Sequence, residues 1–401
     1  MMSITAEVIQ KDKQYSVPVA GRPDFVLARG EGVTVYDAEG KAYTDWVAGI
    51  AVNSLGYGDK ELQEVVAKQM DTGLIHVSGL YHTQAMVELA ELLCGNSFAD
   101  KAYFCNSGAE ANEGALKFAR KLAYVNERTN KTKTVSFTKA FHGRTLGALA
   151  ITPTEKYQTP FKPMVPGAVV GEFNNIESAK EVIDQDTAAV VVEPIQGEGG
   201  INIASAEFLQ ALRQLCDENE AVLIFDEIQC GLGRTGELWA HSFSGVSPDI
   251  MTLAKPLAGG LPIGAILVTD EVAGAMQPGD HGSTFSGGAV VVRAGEMVVK
   301  RILSAGFLEH VKETGDYLLE RLAEINSPHI TDLRGRGLMA AIELDIPPAD
   351  IVVKGYEHGL LLVNSGPDAI RFIPPLIVEK RHVDELVEKL TLILEDVDGD
   401  G

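Results

Sequence analysis

Residues 221–236 read AVLIFDEIQCGLGRTG, and the next lysine in the chain, Lys255, closes a similar run, Ile250-Met251-Thr252-Leu253-Ala254-Lys255. Ala221 to Phe225 is a short unbroken apolar segment stopping at Asp226, the pattern of a strand buried on both faces of a parallel sheet. A carboxylate at the carboxyl end of such a strand stands where open α/β sheets bind ligands. Lys255 ends the second run in the same way. The two charges are therefore expected at the ends of adjacent strands, facing one crevice, where each needs a partner.

That pairing suits pyridoxal phosphate, whose aldehyde condenses with a lysine while an acid keeps the ring nitrogen protonated and the ring electron-withdrawing. Three other readings of the stretch stand beside it. A strand ending in Asp226-Glu227 also resembles the magnesium-binding strand of a P-loop ATPase, yet no Gly-x-x-x-x-Gly-Lys-Ser/Thr occurs anywhere. Gly231-Leu232-Gly233-Arg234-Thr235-Gly236 spells the dinucleotide fingerprint with Asp249 behind it, and would suit an NAD-dependent oxidoreductase. In that fold, however, the glycines follow the strand directly, and here Asp226 to Cys230 intervene. Thirdly, Asp226 and Lys255 form a plain structural ion pair in a catalytically silent binding protein or scaffold.

Composition narrows the partners. The chain has 401 residues, enough for one large domain and a smaller one, with 34 Lys and Arg against 56 Asp and Glu and a net charge of −22. Such acidity argues against nucleic acid or an anionic membrane surface as a partner, and requires local cationic sites for small anions. Cys94, Cys105, Cys216 and Cys230 show neither CxxC nor metal-ligand spacing, so reduced thiols in the cytoplasm and no metal centre are expected. No stretch reaches transmembrane length.

Strands alternate with helices through most of the chain, as a doubly wound, mostly parallel sheet requires. Residues 1–50 read as an amino-terminal arm and a hairpin around Ala38-Glu39-Gly40 that packs with the small domain. Residues 51–290 form the large α/β domain, and 291–401 a smaller α+β domain. In the large domain Asp59 is placed to cap one helix, and Thr83 begins another. A strand ending at Cys105 leads into Asn106-Ser107-Gly108-Ala109-Glu110, where Ser107 and Glu110 make a capping box. The free N–H groups of that helix start also suit a phosphate. Phe141-His142-Gly143-Arg144, after another strand, sets an aromatic, a histidine and an arginine together, which suits a flat ring and a carboxylate. A third strand ends at Glu193-Pro194, with Gln196-Gly197-Glu198-Gly199-Gly200 beyond it. Ser283 and Thr284 place two hydroxyls in a loop. Arg371, between apolar neighbours in Ile370-Arg371-Phe372-Ile373, should have an anionic partner.

Taken together, FCNSGAEANEGALKFAR (104–120), FHGRT (141–145), VVVEPIQGEGG (190–200), FDEIQCGLGRTG (225–236), AKPLAGG (254–260), HGSTF (281–285) and RFIPP (371–375) resemble the class III aminotransferases, pyridoxal-phosphate enzymes of fold type I. The blocks run in family order from about Leu27 to Val378, and within the class look most like the acetylornithine aminotransferases. The resemblance implies that Lys255 forms the imine with the cofactor, that Asp226 pairs with the ring nitrogen, and that Ile228 and Phe141 pack on its two faces. Gln229 would approach the ring hydroxyl, and Ser107, Gly108 and Ala109 would bind the phosphate. Thr284 would reach the neighbouring subunit's phosphate in a homodimer with shared active sites. Arg144 and Ser283 would contact substrate, Arg144 through the donor carboxylate, and Arg371 would take the second carboxylate of glutamate or 2-oxoglutarate. Glu198 would neutralise Arg371 in the other half-reaction. Lys255, displaced by substrate, would become the general base. The implied reaction moves the terminal amino group of an N-acylated diamino acid, N2-acetylornithine first, to 2-oxoglutarate. Ornithine, 4-aminobutyrate and acyl-lysine are the other donors in the class. Three places depart from the family pattern: Ala20 where ornithine-type members carry tyrosine, Gly79 where acetylornithine enzymes carry asparagine, and the run Phe285-Ser286-Gly287-Gly288-Ala289. The first two bear on the donor, not the cofactor.

Overall fold

The computed structural model describes residues 3–77 and 79–399. A seven-stranded sheet organises the large part of the chain, in the order Lys101–Cys105, Gly264–Val268, Ile250–Leu253, Val222–Asp226, Thr187–Val192, Lys133–Phe137, Ala168–Gly171. All run parallel except Gly264–Val268, which is antiparallel to both neighbours. The apolar run of residues 221–225 is explained by its surroundings. Leu223 and Phe225 point into one layer with Val190, Val192 and Phe208, while Val222 and Ile224 point into the opposite layer with Ala189, Val191, Ala115 and Phe118. Alternate side chains of one strand thus fill two cores. Each such side chain contributes about 1.5–3 kcal/mol through burial.

Side-chain caps start the helices that cover the sheet. Asp59 accepts from the N–H of Leu62 ahead of Lys60–Asp71, Thr83 from Met86 ahead of Gln84–Cys94, and Ser205 from Phe208 ahead of Ala206–Glu218. The helix Ala289–Ile302 buries Val292, Val298 and Ile302 in one cluster with Leu89, Leu93 and Leu257, although the sequence reading groups residues from 291 onward with the C-terminal unit.

The C-terminal part is a four-stranded antiparallel sheet, Ile330–Arg336, Met339–Leu344, Ala369–Phe372, Val363–Ser365, packed with the helices Phe307–Ala323, Pro348–Glu357 and Lys380–Gly399. The amino-terminal strands Leu27–Glu31, Thr34–Asp37 and Ala42–Asp45 form a separate sheet, completed by Leu360–Leu361 running parallel to Ala42–Asp45. Val33 and Trp46 lie in the C-terminal core. The helix Ile4–Tyr15 buries none of its residues. No described helix is long and apolar enough to cross a membrane.

Candidate active site

Five segments converge at the carboxyl edge of the large sheet: the turns after Lys101–Cys105, Lys133–Phe137, Thr187–Val192, Val222–Asp226 and Ile250–Leu253. They enclose a cavity of about 250 Å³ lined by Gly108, Ala109, Phe141, His142, Gly143, Arg144, Glu193, Glu198, Asp226, Ile228, Gln229, Ala254 and Lys255. Nine residues singled out from sequence are among them. Ser107 lies one position outside the lining, Arg371 is buried behind Glu198 and Gln229, and Ser283 and Thr284 lie off the wall.

Asp226 ends its strand with its carboxylate held from two sides. The Nδ2 of Asn112 and the Nδ1 of His142 both reach Oδ2, at 2.8 and 2.7 Å, and Oδ1 accepts the N–H of Ile228 at 3.1 Å. Asn112 is itself fixed by Thr252, whose hydroxyl donates to its Oδ1 at 2.9 Å, so three neighbouring elements orient one acid. Burial opposes a charge on His142, but the bond and charge of Asp226 outweigh it and raise the imidazole above its ordinary value. Its Nε2 is buried and has no hydrogen-bond partner among the described residues. Glu193 accepts the N–H groups of Phe141 and Gly197, and burial, partly offset by His142, pushes its carboxyl up to about 7.

Lys255 opens the tight turn Lys255–Ala258, whose Pro256 carbonyl accepts the Ser54 hydroxyl at 3.2 Å. Among the described residues no hydrogen bond or ion pair ends on its amine. Burial lowers its basicity, Glu198 partly restores it, and Arg371 lowers it further; the net shift is downward. Its ammonium form therefore gives up its proton more readily than that of an ordinary lysine.

The helix Gly108–Val125 begins with Ser107 Oγ accepting the N–H of Glu110 at 3.2 Å. The carboxylate of Glu110 returns to the N–H of Asn106, one residue before the cap, and not to Ser107 itself. A Cβ on Gly108 would lie 2.8 Å from Cδ1 of Ile228, so only glycine lets this helix start approach the cavity wall. Cys105, the last residue of the strand that leads into this helix, is a buried thiol pushed up to about 12 by burial.

On the far wall Arg371 is 1% exposed, and its Nη1 donates to Glu198 Oε1 at 2.7 Å, Gln229 Oε1 at 2.9 Å and the Gly197 carbonyl at 3.0 Å. Burial raises the Glu198 carboxyl, but Arg371 and Lys255 outweigh burial and hold it below the usual range. Both ends of the Gln229 amide are engaged, since its Nε2 donates to Glu198 at 3.3 Å. Arg144 is exposed at the rim, its guanidinium 5.4 Å from the Phe141 ring centre and 3.4 Å from that of Tyr157. Ser283 accepts from Asn106 Nδ2 at 2.9 Å, while Thr284 is exposed. The residues that sequence reasoning left unassigned are Asn112, His142 and Glu193. His142 and Glu193 stand at strand ends like the assigned acids, which was an available signal; Asn112, inside a helix, gave none.

The fingerprint at Gly231–Gly236 does not join a strand to a helix. It is a series of turns in which the buried Arg234 donates to the carbonyls of Leu338 and Pro374, so the NAD reading lacks the helix whose N-terminus would hold a pyrophosphate. No cluster of His, Cys, Asp or Glu among the described residues is arranged to hold a metal.

A buried carboxylate and an unpaired amine facing one slot, with Ile228 and Phe141 among its walls and a capped helix start beside it, fit a flat anionic cofactor with an aldehyde and a basic ring nitrogen. Comparison with known proteins places the chain in a class: residues 16–394 match the family model described as aminotransferase class-III, and the chain belongs to that family of pyridoxal-phosphate-dependent transaminases. Among particular relatives, the mitochondrial acetylornithine aminotransferase of Alnus glutinosa is 46% identical over 99% of this chain and 90% of its own length. The crystal structure of ornithine aminotransferase from Toxoplasma gondii ME49 superposes with a TM-score of 0.95 at 30% identity, covering 100% of this chain and 97% of that one. N-acetylornithine aminotransferase from Stenotrophomonas maltophilia K279a gives 0.84 at 33% identity, covering 98% and 100%.

Proposed function

We propose that this transaminase takes N2-acetyl-L-ornithine and 2-oxoglutarate to N-acetylglutamate 5-semialdehyde and glutamate, the amino transfer of arginine biosynthesis. Bound pyridoxal phosphate supplies an aldehyde that accepts the amino group and a protonated ring that draws electrons from the substrate carbon. Lys255 would hold the cofactor and, once released from it, would move the proton at the substrate carbon. Asp226, oriented by His142 and Asn112, would keep the ring nitrogen protonated. Ile228 and Phe141 would pack against the ring of the cofactor, Gln229 would approach its hydroxyl, and Ser107, Gly108 and Ala109 would hold its phosphate. Arg144 takes the donor carboxylate at the rim, with Ser283 nearby.

The observation that carries the reading is the Glu198–Arg371 pair behind the cavity wall. Closed, it presents no net charge to the apolar part of a donor; with Glu198 turned away, Arg371 offers a cation to the second carboxylate of 2-oxoglutarate. Relatives named acetylornithine aminotransferases at 40–46% identity support the donor.

Thr284 is assigned to the phosphate of a second copy in a homodimer. Its exposure off its own cavity supports this, as do the exposed apolar residues Leu80, Tyr81 and Phe285, at 83%, 67% and 66%. Light scattering should then give twice the 42.9 kDa chain mass, and a monomer that is fully active would refute sharing. Free thiols at all four cysteines support a reducing compartment such as the cytoplasm.

The test of the donor is a single-turnover screen that follows the cofactor absorbance with acetylornithine, ornithine, 4-aminobutyrate and acyl-lysine. Acetylornithine should convert the enzyme with the highest second-order rate; a higher rate with any other donor overturns the assignment.

A further inference from the structure

Glu198 has to move and Arg371 has to stay for one pocket to serve two substrates, and the backbone around them is built for that division. The loop carrying Glu198 is pinned at three points. The Gly197 N–H donates to Glu193 Oε2 at 3.0 Å, the Gly197 carbonyl accepts the Ser365 hydroxyl at 2.7 Å, and the Glu198 carbonyl accepts the N–H of Gly366 at 2.9 Å. The loop is also packed from the side, since a Cβ on Gly197 would lie 2.1 Å from Gln229 Oε1. With its backbone held, Glu198 can leave Arg371 only by side-chain rotation. Its side chain is 31% exposed, so it has somewhere to go.

Ser365 and Arg371 come from one antiparallel hairpin, in which Ser365 faces Ala369 and Val363 faces Arg371. Both donate to the same carbonyl, that of Gly197. Ser365 is 2% exposed, and nothing in the transaminase chemistry described above uses its hydroxyl. We propose that Ser365 is a positioning residue for the dicarboxylate substrate: by satisfying the Gly197 carbonyl and fixing the loop, it sets where the Arg371 guanidinium rests when Glu198 swings out. Without the hydroxyl, that carbonyl keeps Arg371 as its only side-chain donor among the described residues and holds the cation back from an incoming carboxylate. This rests on Arg371 being the second-carboxylate site.

The experiment measures both half-reactions of the holoenzyme for Ser365→Ala, Ser365→Thr and Arg371→Ala. Loss of one hydrogen bond of this kind corresponds to about a three- to tenfold effect. Ser365→Ala should raise the KM for 2-oxoglutarate by about that factor while the KM and rate for the amino donor, and the cofactor absorbance, stay at wild-type values. Ser365→Thr, which keeps the hydroxyl, should restore the KM. Equal losses in both half-reactions, no change, or a Thr variant as impaired as Ala would overturn the assignment of Ser365. Arg371→Ala separates the two levels. If it fails to impair 2-oxoglutarate selectively, the reading of the site is wrong; if it does so while Ser365→Ala is silent, only the role of Ser365 falls. Should Ser365→Ala fold poorly, the ratio of rates with 2-oxoglutarate and pyruvate in Ser365→Thr and Ser365→Cys carries the same test. An unchanged ratio in both contradicts the proposal, and a fall in Cys alone supports it.

Discussion

Lys255 is held in a state that costs stability. Burial, only partly offset by Glu198, disfavours its ammonium form, so the folded apoprotein binds that proton less well than the unfolded chain does. Its folded-state value lies below the ordinary 10.5, and between the two the unfolded state carries more protons, so stability rises with pH across that window. At neutral pH the penalty is present. Lys255→Met, similar in length and uncharged, should therefore raise the melting temperature of the apoprotein while abolishing transamination. The gap between variant and wild type should narrow as pH climbs toward 10.5. A variant that melts lower than wild type at pH 7, or a gap independent of pH, would contradict this account of the lysine. The stability–activity conflict is the expected one at a site whose amine must be free.

At the scale of elements, the approach of the helix Gly108–Val125 to the cavity depends on a missing side chain. Gly108→Ala is tolerated by the helix itself, but the new Cβ meets Cδ1 and Cγ2 of Ile228 at 2.8 and 2.9 Å. Ile228 must then shift into the slot. Overpacking of this kind should weaken pyridoxal phosphate binding by about tenfold or more with little change in apoprotein melting, measured by cofactor titration; wild-type affinity would show that Ile228 does not border the ring. Elements were the most legible level of the sequence. The apolar run before Asp226 and the helix starts at Asp59, Thr83 and Ser107 follow from local periodicity and capping chemistry, which depend on near neighbours only. What local pattern could not give is which side chains meet across the fold. His142 and Asp226 are 84 positions apart, and Gln229 and Arg371 are 142 apart. The pairing of Leu360–Leu361 with Ala42–Asp45 is of the same kind, set by tertiary packing and by neither segment's own sequence.

At the scale of the molecule, an acidic chain with net charge −22 has to bind an anionic cofactor and a dicarboxylate. The cations for this are concentrated locally in the proposed site, with Lys255 and Arg371 around one cavity and a helix N-terminus beside it, while the surrounding acids, Glu193, Glu198 and Asp226, are each tied to a hydrogen-bond donor. The C-terminal sheet supplies Arg371, Ser365 and Gly366 to the loop of Gly197 and Glu198, so the proposed second-carboxylate site depends on both segments. Everything in this arrangement presumes that the cofactor is carried on one particular amine. The most direct test is borohydride reduction of the purified holoenzyme followed by peptide mass spectrometry. The account predicts that the reduced cofactor is found on the peptide containing Lys255 and on no other; cofactor fixed to a different lysine, or a chain that takes up no pyridoxal phosphate at all, would contradict it.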